Sequence, residues 1–510
     1  MNIKRAKEEI INSIESYLLK DEYGEYIIPI ESQRPLLLIG PPGIGKTALM
    51  QQVATQCGIG LVAYTITHHT RQSAIGLPFI EEKEYGGKKY AVTEYTMSEI
   101  IGAVYDKIEK TGLKEGILFI DEINCASETL APAMLQFLQY KTFGSHKVPD
   151  GWLIAAAGNP PQYNKSVREF DIVTLDRVKR IDVEEDYAIW REYAIFQNVH
   201  NAIISYLDIK KEHFYSIKNN AEGKMFVTAR GWEDLSRIMY VYEKLNKKID
   251  NGVVAQYAQS PKIAKDFSSY LELYYKYKND YLITDILDGK AKDVYTDKLR
   301  LASFDEKLGV ISLILGALNE LFRNAEAEDT FVTHVHGVLT GLKEGIFSGN
   351  RPEETLSSFV ELRQKNLSSK IDAKLINKKD ERLEQRTILT LENYLNFIKK
   401  NSLNTSEDAF EAIKNKFEQA VDVRKNVIEN ASEKLENAFL FMETVFSEGQ
   451  EMVVFVTELN SGYYSIKFIN ENGCHKFYQY NKNLLFKQQQ KAIVSEIDKI
   501  NNMMNSLQGN

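Results

Sequence analysis

The sequence predicts an α/β fold, with a parallel sheet at the core of the first part of the chain and a mostly helical remainder. Two observations support this prediction. Short apolar runs typical of buried strands alternate with helical patterns between residues 36 and 157. The string GPPGIGKT at 40–47 stands between an apolar run and a helical segment, where a parallel sheet places the loop that joins a strand to its helix.

The elements of this part follow from their patterns. Strands are predicted at 36–39, 61–66, 117–120 and 153–157. Helices are predicted at 46–57, 97–110 and 129–140. The N-terminal string MNIKRAKEEIINSIESYLL is interrupted by acidic residues, so it predicts an amphipathic helix and not a signal peptide.

A hairpin insertion is predicted at 79–95. Two polar, alternating arms flank Gly86 and Gly87, which is a hairpin signal. The strongly charged arms favour an exposed projection. A tolerated surface insertion without a function is an equally good interpretation.

The string GPPGIGKT fully matches G-x-x-x-x-G-K-[ST], and its place before a helix lets backbone N–H groups surround a phosphate. Lys46 would reach the outer phosphates, and the hydroxyl of Thr47 would bind Mg²⁺. A glycine-rich turn without a ligand is the alternative, which the flanking strand and helix disfavour. The predicted nucleotide-binding residues are Gly40, Pro41, Pro42, Gly43, Ile44, Gly45, Lys46, Thr47 and Ala48.

Two carboxylates end the predicted strand GILFIDE at 116–122. Parallel sheets bind ligands beyond the carboxyl ends of their strands. We therefore expect Asp121 to join Thr47 as a Mg²⁺ ligand, and Glu122 to orient or deprotonate an attacking water. An isolated strand ending in Asp-Glu would usually be only a solvated strand end.

Further polar residues follow in order. Asn159 ends the apolar run WLIAAAGNP and could fix the water or the γ-phosphate, although a lone Asn-Pro is an ordinary turn starter. Arg177 and Arg180 lie near a predicted helix end, and Arg230 starts another helix. Each could stabilise phosphate charge, and each taken alone is more often a surface arginine.

Composition limits the classes of function. The chain has 510 residues and a net charge of −8, which disfavours a non-specific nucleic-acid binder. Its three cysteines are odd in number and far apart, which indicates a reducing compartment. No apolar run approaches the roughly 20 residues that span a bilayer. We therefore expect a cytoplasmic protein without a membrane span.

The later sequence predicts helices. A helical lid is expected over 184–285, and two apolar helices are expected within 305–347. The charged segment 351–436 predicts an extended helical arm, with an ordinary amphipathic bundle as the alternative. The end of the chain is expected to be helical as well. The predicted domains are 1–183, 184–285 and 286–510.

Taken together, GPPGIGKT, LFIDEIN, AGNP, LDRV and TARGWE resemble the AAA+ ATPases in order and spacing, and more narrowly the MoxR-type proteins of the helix-2-insert clade. The resemblance covers about residues 30–240. The hairpin at 79–95 is similar to the family's helix-2 insert, and 141–160 to its second hairpin. Cys125 departs from the pattern, since an arginine is usual there.

The resemblance implies roles for individual residues. Lys46 and Thr47 would be Walker A residues, Asp121 and Glu122 Walker B residues, and Asn159 sensor 1. Arg177 would be the arginine finger of a neighbouring subunit, with Arg180 as a competitor. Arg230 would be sensor 2.

The function that the resemblance implies is ATP- and Mg²⁺-dependent remodelling of a protein by a ring oligomer, expected to be a hexamer. The family's partner is a von Willebrand factor A protein, whose metal site starts D-x-S-x-S. That string does not occur here, so the partner would be a separate chain. Two alternatives stay open, namely a nucleic-acid motor or restriction-type translocase and a nucleotide-gated scaffold without turnover.

Overall fold

The computed structural model describes residues 1–68, 70–143, 146–163, 167, 170–220, 223–347, 351–372, 375–403 and 405–482. The chain divides into two compact units. The first comprises Met1–Trp190, Phe214–Trp232 and Lys365–Arg382, and the second comprises Arg191–His213, Glu233–Gln364 and Leu383–Asn510. The domain limits predicted at 183 and 285 stay predictions.

The strands are numbered in chain order. They are β1 (Leu36–Ile39), β2 (Gly60–Thr65), β3 (Pro78–Tyr85), β4 (Lys88–Tyr95), β5 (Gly116–Asp121), β6 (Thr142–Phe143), β7 (His146–Lys147), β8 (Trp152–Gly158), β9 (Lys179–Asp182), β10 (Ser216–Asn220) and β11 (Gly223–Val227).

The helices up to residue 301 are α1 (Ile3–Leu18), α2 (Lys46–Cys57), α3 (Arg71–Ile75), α4 (Glu99–Thr111), α5 (Ala131–Tyr140), α6 (Ile172–Asp176), α7 (Tyr187–Phe196), α8 (Asn201–Ile209), α9 (Ala229–Lys244), α10 (Asn251–Tyr257), α11 (Pro261–Asp280), α12 (Ile283–Leu287) and α13 (Asp293–Leu301). The later helices are α14 (Phe304–Ile346), α15 (Pro352–Asp372), α16 (Lys378–Lys400), α17 (Ser406–Phe446), α18 (Gln450–Ser461) and α19 (Tyr463–Asn472).

A five-stranded parallel sheet forms the centre of the first unit, in the order β2-β5-β8-β1-β9. Successive side chains along each strand belong alternately to two buried clusters, one on each face of the sheet, because the side chains of a strand have a two-residue period. Leu36 and Leu38 pack with α1 and α2 on one face, whereas Leu37 packs with α4 and α5 on the other. The predicted α/β fold class is confirmed, and each predicted strand and helix of 36–157 is present within three residues of its expected ends.

The predicted hairpin is present as the antiparallel pair β3-β4, which extends from Pro78 to Tyr95. Gly86 and Gly87 form its turn with φ of +59° and +77°, which glycine adopts without strain. Every side chain of the two strands is exposed or half-buried. The expected second hairpin corresponds to β6-β7, although residues 144 and 145 lie outside the described residues.

The segment predicted as a helical lid contains an antiparallel strand pair, β10-β11, which the sequence analysis did not predict. The segment 184–285, expected to form a helical lid, therefore contains a strand pair as well as helices. The string SIKNN followed by GKMFV has the alternation and turn residues of a hairpin, but each arm is only five residues long. Helices α8 to α11 agree with the remainder of the prediction.

One 43-residue helix, α14, replaces the two helices predicted in 305–347. The two predicted helices are separated by the charged string RNAEAEDT. This string contains neither glycine nor proline, so the helix can continue through it. Its acidic residues pair with cations of neighbouring helices: Lys467 contacts Glu326, Arg386 contacts Glu328, and Arg424 contacts Asp329.

Among the described helices, only α14 is long and apolar enough, by length and composition, to cross a membrane, over Phe304–Lys343. Half of its most apolar stretch is buried inside the protein, as is also typical of a core helix. Buried residues of this helix include Val310, Ile314 and Leu318.

Helices α15 to α17 cover the segment predicted as an arm. Their apolar positions are partly buried, for example Val360, Leu391 and Ile413. The guanidinium of Arg386, on α16, lies 3.7 Å from the ring centre of Phe331 on α14. These contacts are those of an amphipathic bundle, and the partner role of the segment stays a prediction. The expected helical C-terminus holds for α18 and α19, whereas Leu484 and Leu485 lie outside the described residues.

Candidate active site

The carboxyl ends of β1, β5 and β8 lie side by side in the sheet. Ile39 pairs with Gly158, and Ile120 pairs with Ala156. The residues that follow these strands therefore meet at one edge. Parallel sheets bind ligands at this edge, because the loops leave it toward their helices.

The loop after β1 has the backbone of a phosphate cradle. Gly43 and Gly45 have φ of +76° and +94°, values that a residue with a Cβ rarely adopts. A Cβ added at Gly43 would lie 2.9 Å from Oγ1 of Thr228, so the close approach also requires glycine. Helix α2 begins at Lys46, and its first N–H groups point toward the loop, as in sites that bind phosphate at a helix N-terminus.

Lys46 is buried, with 8% of its surface exposed. Its Nζ donates hydrogen bonds to the carbonyls of Gly40 and Pro41 at 2.8 and 2.9 Å, and to Oδ1 of Asn159 at 2.8 Å. Burial lowers the pKa of Lys46 to about 8, against the opposing effect of the Asp121 carboxylate, and the charge of Arg230 lowers it further. An anion at this position would raise the pKa of Lys46 again, because it favours the charged form of the lysine.

Thr47 and Asp121 are in direct contact. Oγ1 of Thr47 donates a hydrogen bond to Oδ2 of Asp121 over 2.6 Å. The other carboxylate oxygen of Asp121 accepts the backbone N–H of Glu122 at 2.9 Å. A hydroxyl and a carboxylate at the mouth of a phosphate loop are hard oxygen ligands of the kind that Mg²⁺ prefers, so these residues fit the predicted metal.

Glu122 has a left-handed backbone, with φ of 56° and ψ of 32°. This conformation is uncommon for a residue with a side chain and is often found at functional sites. Its Oε2 accepts a hydrogen bond from Oγ1 of Thr67 at 3.1 Å. Thr67 was not predicted as a site residue. It follows the predicted strand 61–66, which places it at the same carboxyl edge of the sheet as Glu122.

A second amide holds Asn159 in place. Nδ2 of Asn124 donates to the carbonyl of Asn159 at 2.8 Å, and Oδ1 of Asn124 accepts the N–H of Asn159 at 3.3 Å. A Cβ at Gly158 would lie 2.6 Å from that same Oδ1, so the strand end must be glycine for Asn124 to reach it. Asn124 belongs to the string LFIDEIN, but the sequence alone gave no reason to assign it this contact.

The three predicted arginines lie in different places. Arg230 is at the start of α9, where its N–H donates to the carbonyl of Gly43 at 3.3 Å. Arg177 follows α6, is exposed, and donates to Oε1 of Gln139 on α5, outside the cluster around Lys46. Arg180 lies on the edge strand β9 and pairs with Asp182 at 2.9 Å.

Tyr215 also reaches the phosphate loop and was not predicted. Its hydroxyl donates to the carbonyl of Pro42 at 2.8 Å. The neighbouring residue Phe214 accepts the indole N–H of Trp232 at 3.1 Å, which fixes the segment that carries Tyr215. A tyrosine in a stretch rich in aromatic residues gave no signal for this contact.

Comparison with known proteins agrees with this geometry. The family model described as "ATPase family associated with various cellular activities (AAA)" matches residues 36–175. Midasin of Giardia intestinalis is 24% identical over 188 residues, which are 34% of this chain. The chain spans 4% of the length of that relative. The match and the fold together identify residues 36–175 as an AAA-family ATPase domain, within an α/β core that is followed by a mostly helical region.

Proposed function

We propose that this chain binds and hydrolyses ATP at the carboxyl edge of its sheet. The observation that supports the proposal best is the convergence of Lys46, Thr47, Asp121 and Asn159 through hydrogen bonds of 2.6 to 2.8 Å. These residues come from the ends of three strands that are far apart in the sequence. A cation, an amide and a pair of oxygen ligands next to a glycine cradle are the groups that phosphoryl transfer to water requires.

Each residue would act on a different part of the reaction. Lys46 would leave its present carbonyl partners and pair with the β- and γ-phosphates. Mg²⁺, held by Thr47 and Asp121, would offset negative charge on the phosphates. Glu122 would accept a proton from the attacking water, and Asn159 would hold that water or the γ-phosphate.

Arg230 lies next to the phosphate loop and would add a further contact to the nucleotide. Lys46 experiences the charge of Arg230, which therefore lies within electrostatic range of the phosphate position. A long cation at a helix start next to Gly43 could approach the γ-phosphate, as the sensor 2 role requires. Arg230 would act either within its own subunit or on the next one.

Assembly into a ring is the second part of the proposal. Two apolar side chains next to the predicted finger are exposed, Ile172 at 85% and Val173 at 57%. Exposed apolar residues beside an exposed arginine are typical of a surface that another protein covers. We therefore infer that this surface contacts a second copy and delivers Arg177 to its nucleotide, in a ring expected to be hexameric.

The class of substrate is the third part. The exposed β3-β4 hairpin supports a MoxR-type protein that remodels a partner, with a von Willebrand factor A protein as the expected partner. The hairpin carries no residue of the nucleotide cluster, so it is available for this contact. A cytoplasmic location is proposed on the composition alone.

A turnover assay with three variants tests the ATPase proposal. Lys46→Ala should abolish tight ATP binding, because the cation facing the phosphates is lost. Glu122→Gln should bind Mg²⁺-ATP normally and hydrolyse it at least a hundredfold more slowly, since general-base catalysis contributes about that much. Glu128→Gln, the same change at an exposed residue six positions later, should behave as the wild type. Equal turnover by the wild type and Glu122→Gln would refute the proposed site.

A further inference from the structure

A cavity of about 390 Å³ lies within the second unit, among helices α7, α8, α14 and α18. Its lining residues belong to that unit, whereas the phosphate loop belongs to the first. The volume falls in the range of pockets that hold small organic molecules. Nothing in the nucleotide chemistry described above uses it.

One wall of the cavity is apolar. Ile195 and Ile204 come from α7 and α8, and Leu308 and Leu315 come from one stripe of α14. Leu308 and Leu315 are only half-buried, although α14 is otherwise a core helix. Apolar surface of this kind is favourable for contact with a hydrocarbon or an aromatic ring.

An ion cluster lies beside this apolar wall, since Arg191 and Asp208 are each one helical turn from Ile195 and Ile204 on α7 and α8. The guanidinium of Arg191 donates from Nε to Oδ1 of Asp208 at 2.6 Å and from Nη2 to Oδ2 at 3.0 Å. The same Nη2 also donates to Glu458 on α18. The side chain of Arg191 is only 16% exposed, whereas those of Asp208 and Glu458 are 34% and 31% exposed, so the carboxylates stay partly accessible to a ligand.

The charges of the cavity do not balance. Asp208, Glu458 and Asp305 line it with three carboxylates, and Arg191 supplies the only cation among its lining residues. Burial and the charge of Asp208 raise the pKa of Glu458, against the opposing effect of the adjacent Arg191 guanidinium. One guanidinium does not offset three carboxylates, so a second cation would be attracted to the cavity and an anion would be repelled.

We propose that this cavity binds a small organic cation, with its ammonium group at Glu458 and Asp208 and its apolar body against Leu308 and Leu315. Ammonium-to-carboxylate hydrogen bonds are charge-assisted and stronger than neutral ones. The apolar side chains and the carboxylates of the cavity thus select for both properties of the ligand at once. An amine without an apolar body, or an apolar molecule without charge, would use only one of these two sets of side chains.

Titration calorimetry of the full chain tests the proposal with three probes that share one carbon skeleton. These are 4-phenylbutylammonium, 4-phenylbutan-1-ol and 4-phenylbutanoate. The cation should bind saturably and at least tenfold more tightly than the alcohol, and the anion should not bind. Glu458→Gln should weaken cation binding at least tenfold. Asp297→Asn, the same change at an exposed residue of the same unit that pairs with Arg300, should leave it unchanged.

A second variant separates loss of the site from loss of the fold. Ser312 lines the cavity from α14, so Ser312→Phe should fill it and abolish binding while circular dichroism and the melting temperature stay at wild-type values or rise. Cation binding that survives in Ser312→Phe, or a cation that binds no better than the alcohol, would overturn the proposal. Absence of saturable binding by the cation would overturn it as well.

Discussion

The hydroxyl of Thr67 donates a hydrogen bond to Oε2 of Glu122, with 3.1 Å between the two oxygens. Glu122 is the carboxylate proposed to activate water, and a hydrogen bond that stabilises its charge makes it a weaker base. Thr67 lies two residues after the end of β2, and the β3-β4 hairpin begins eleven residues after Thr67, at Pro78. A partner bound to that hairpin could therefore act on the base through a short stretch of chain.

We expect Thr67→Val to raise basal ATP turnover about fivefold, because a hydrogen bond worth about 1 kcal/mol no longer restrains Glu122. ATP affinity should be unchanged, since Thr67 does not contact the phosphate loop residues described above. Thr67→Ser keeps the hydroxyl and is the matched control, with turnover near that of the wild type. Slower turnover in Thr67→Val, measured with saturating Mg²⁺-ATP, would instead show that the contact positions Glu122 for catalysis.

The pKa of Lys46 predicts a pH dependence for nucleotide binding. Burial lowers this pKa to about 8, and only the charged lysine pairs well with phosphate. The competent fraction therefore falls as the pH rises through 8, and the apparent affinity falls with it. Between pH 7.5 and 9.5 the affinity for Mg²⁺-ATP should decrease roughly 20-fold, as the protonated fraction does at a pKa of about 8.

Fluorescence titration with a labelled ATP analogue measures this profile. Lys46→Arg is the control, because a guanidinium stays charged over the whole range. Its affinity should be lower throughout but nearly independent of pH. A flat profile for the wild-type protein would contradict the prediction, because it would mean that the pKa of Lys46 without nucleotide lies above this pH range.

The strands and the motif residues of the first unit were predictable because local rules determine them. A buried parallel strand is a short apolar run, and GPPGIGKT specifies its own turn, so Lys46, Thr47 and Asp121 could be placed at one edge. The contacts of Tyr215 and Thr228 were not predictable, because each reaches the site through tertiary packing, and Thr67 could be placed at the right edge but not in contact with Glu122. A single threonine or tyrosine carries no pattern that distinguishes it from an ordinary one.

The helical region shows the same limit. A break was predicted at the charged middle of α14. The cationic partners of its acidic residues lie 58 to 141 residues away in the sequence, so the local sequence did not reveal them. The contact of Arg191 with Glu458 joins residues 267 positions apart. Periodicity predicts that a helix forms, but it does not predict which helices pack together or where a cavity is left between them.

Mixing two inactive variants tests the proposed role of Arg177 across an interface. Arg177→Ala lacks the finger, and Glu122→Gln lacks the base, so each alone should be inactive. In mixed rings some interfaces combine an intact Arg177 with an intact Glu122, and part of the activity should return. An arginine finger contributes roughly 10³ to 10⁵ in rate, so even a small recovery is measurable.

Arg180→Ala is the matched control for this experiment. Arg180 is paired with Asp182 on β9, so its loss should leave turnover close to wild type. No recovery in mixtures shown to co-assemble would contradict the trans role of Arg177. If Arg180→Ala is inactive alone and regains activity when mixed with Glu122→Gln, while Arg177→Ala does not, the finger is Arg180.

Deletion of Glu81 to Thr93 tests whether the β3-β4 hairpin contacts the partner. The cut leaves the pairs Pro78 with Tyr95 and Phe79 with Glu94 at the base of the hairpin. The bridge joins Ile80 to Glu94, and because Glu94 is directly paired with Phe79, the neighbour of Ile80, two glycines can close the gap. The removed side chains are exposed or half-buried, so folding and basal ATP turnover should stay near wild type.

Remodelling of the partner should be lost in the deletion variant. The Glu122→Gln protein, trapped with ATP, captures that partner for the assay, and the same trap carrying the deletion should capture none of it. Tyr85→Ser with Tyr90→Ser is a milder variant, which removes two exposed rings with centres 6.2 Å apart and keeps the strands. It should weaken capture if these rings form the contact. Remodelling that survives the deletion, or a trap that captures only nucleic acid, would favour the nucleic-acid motor over the protein remodeller.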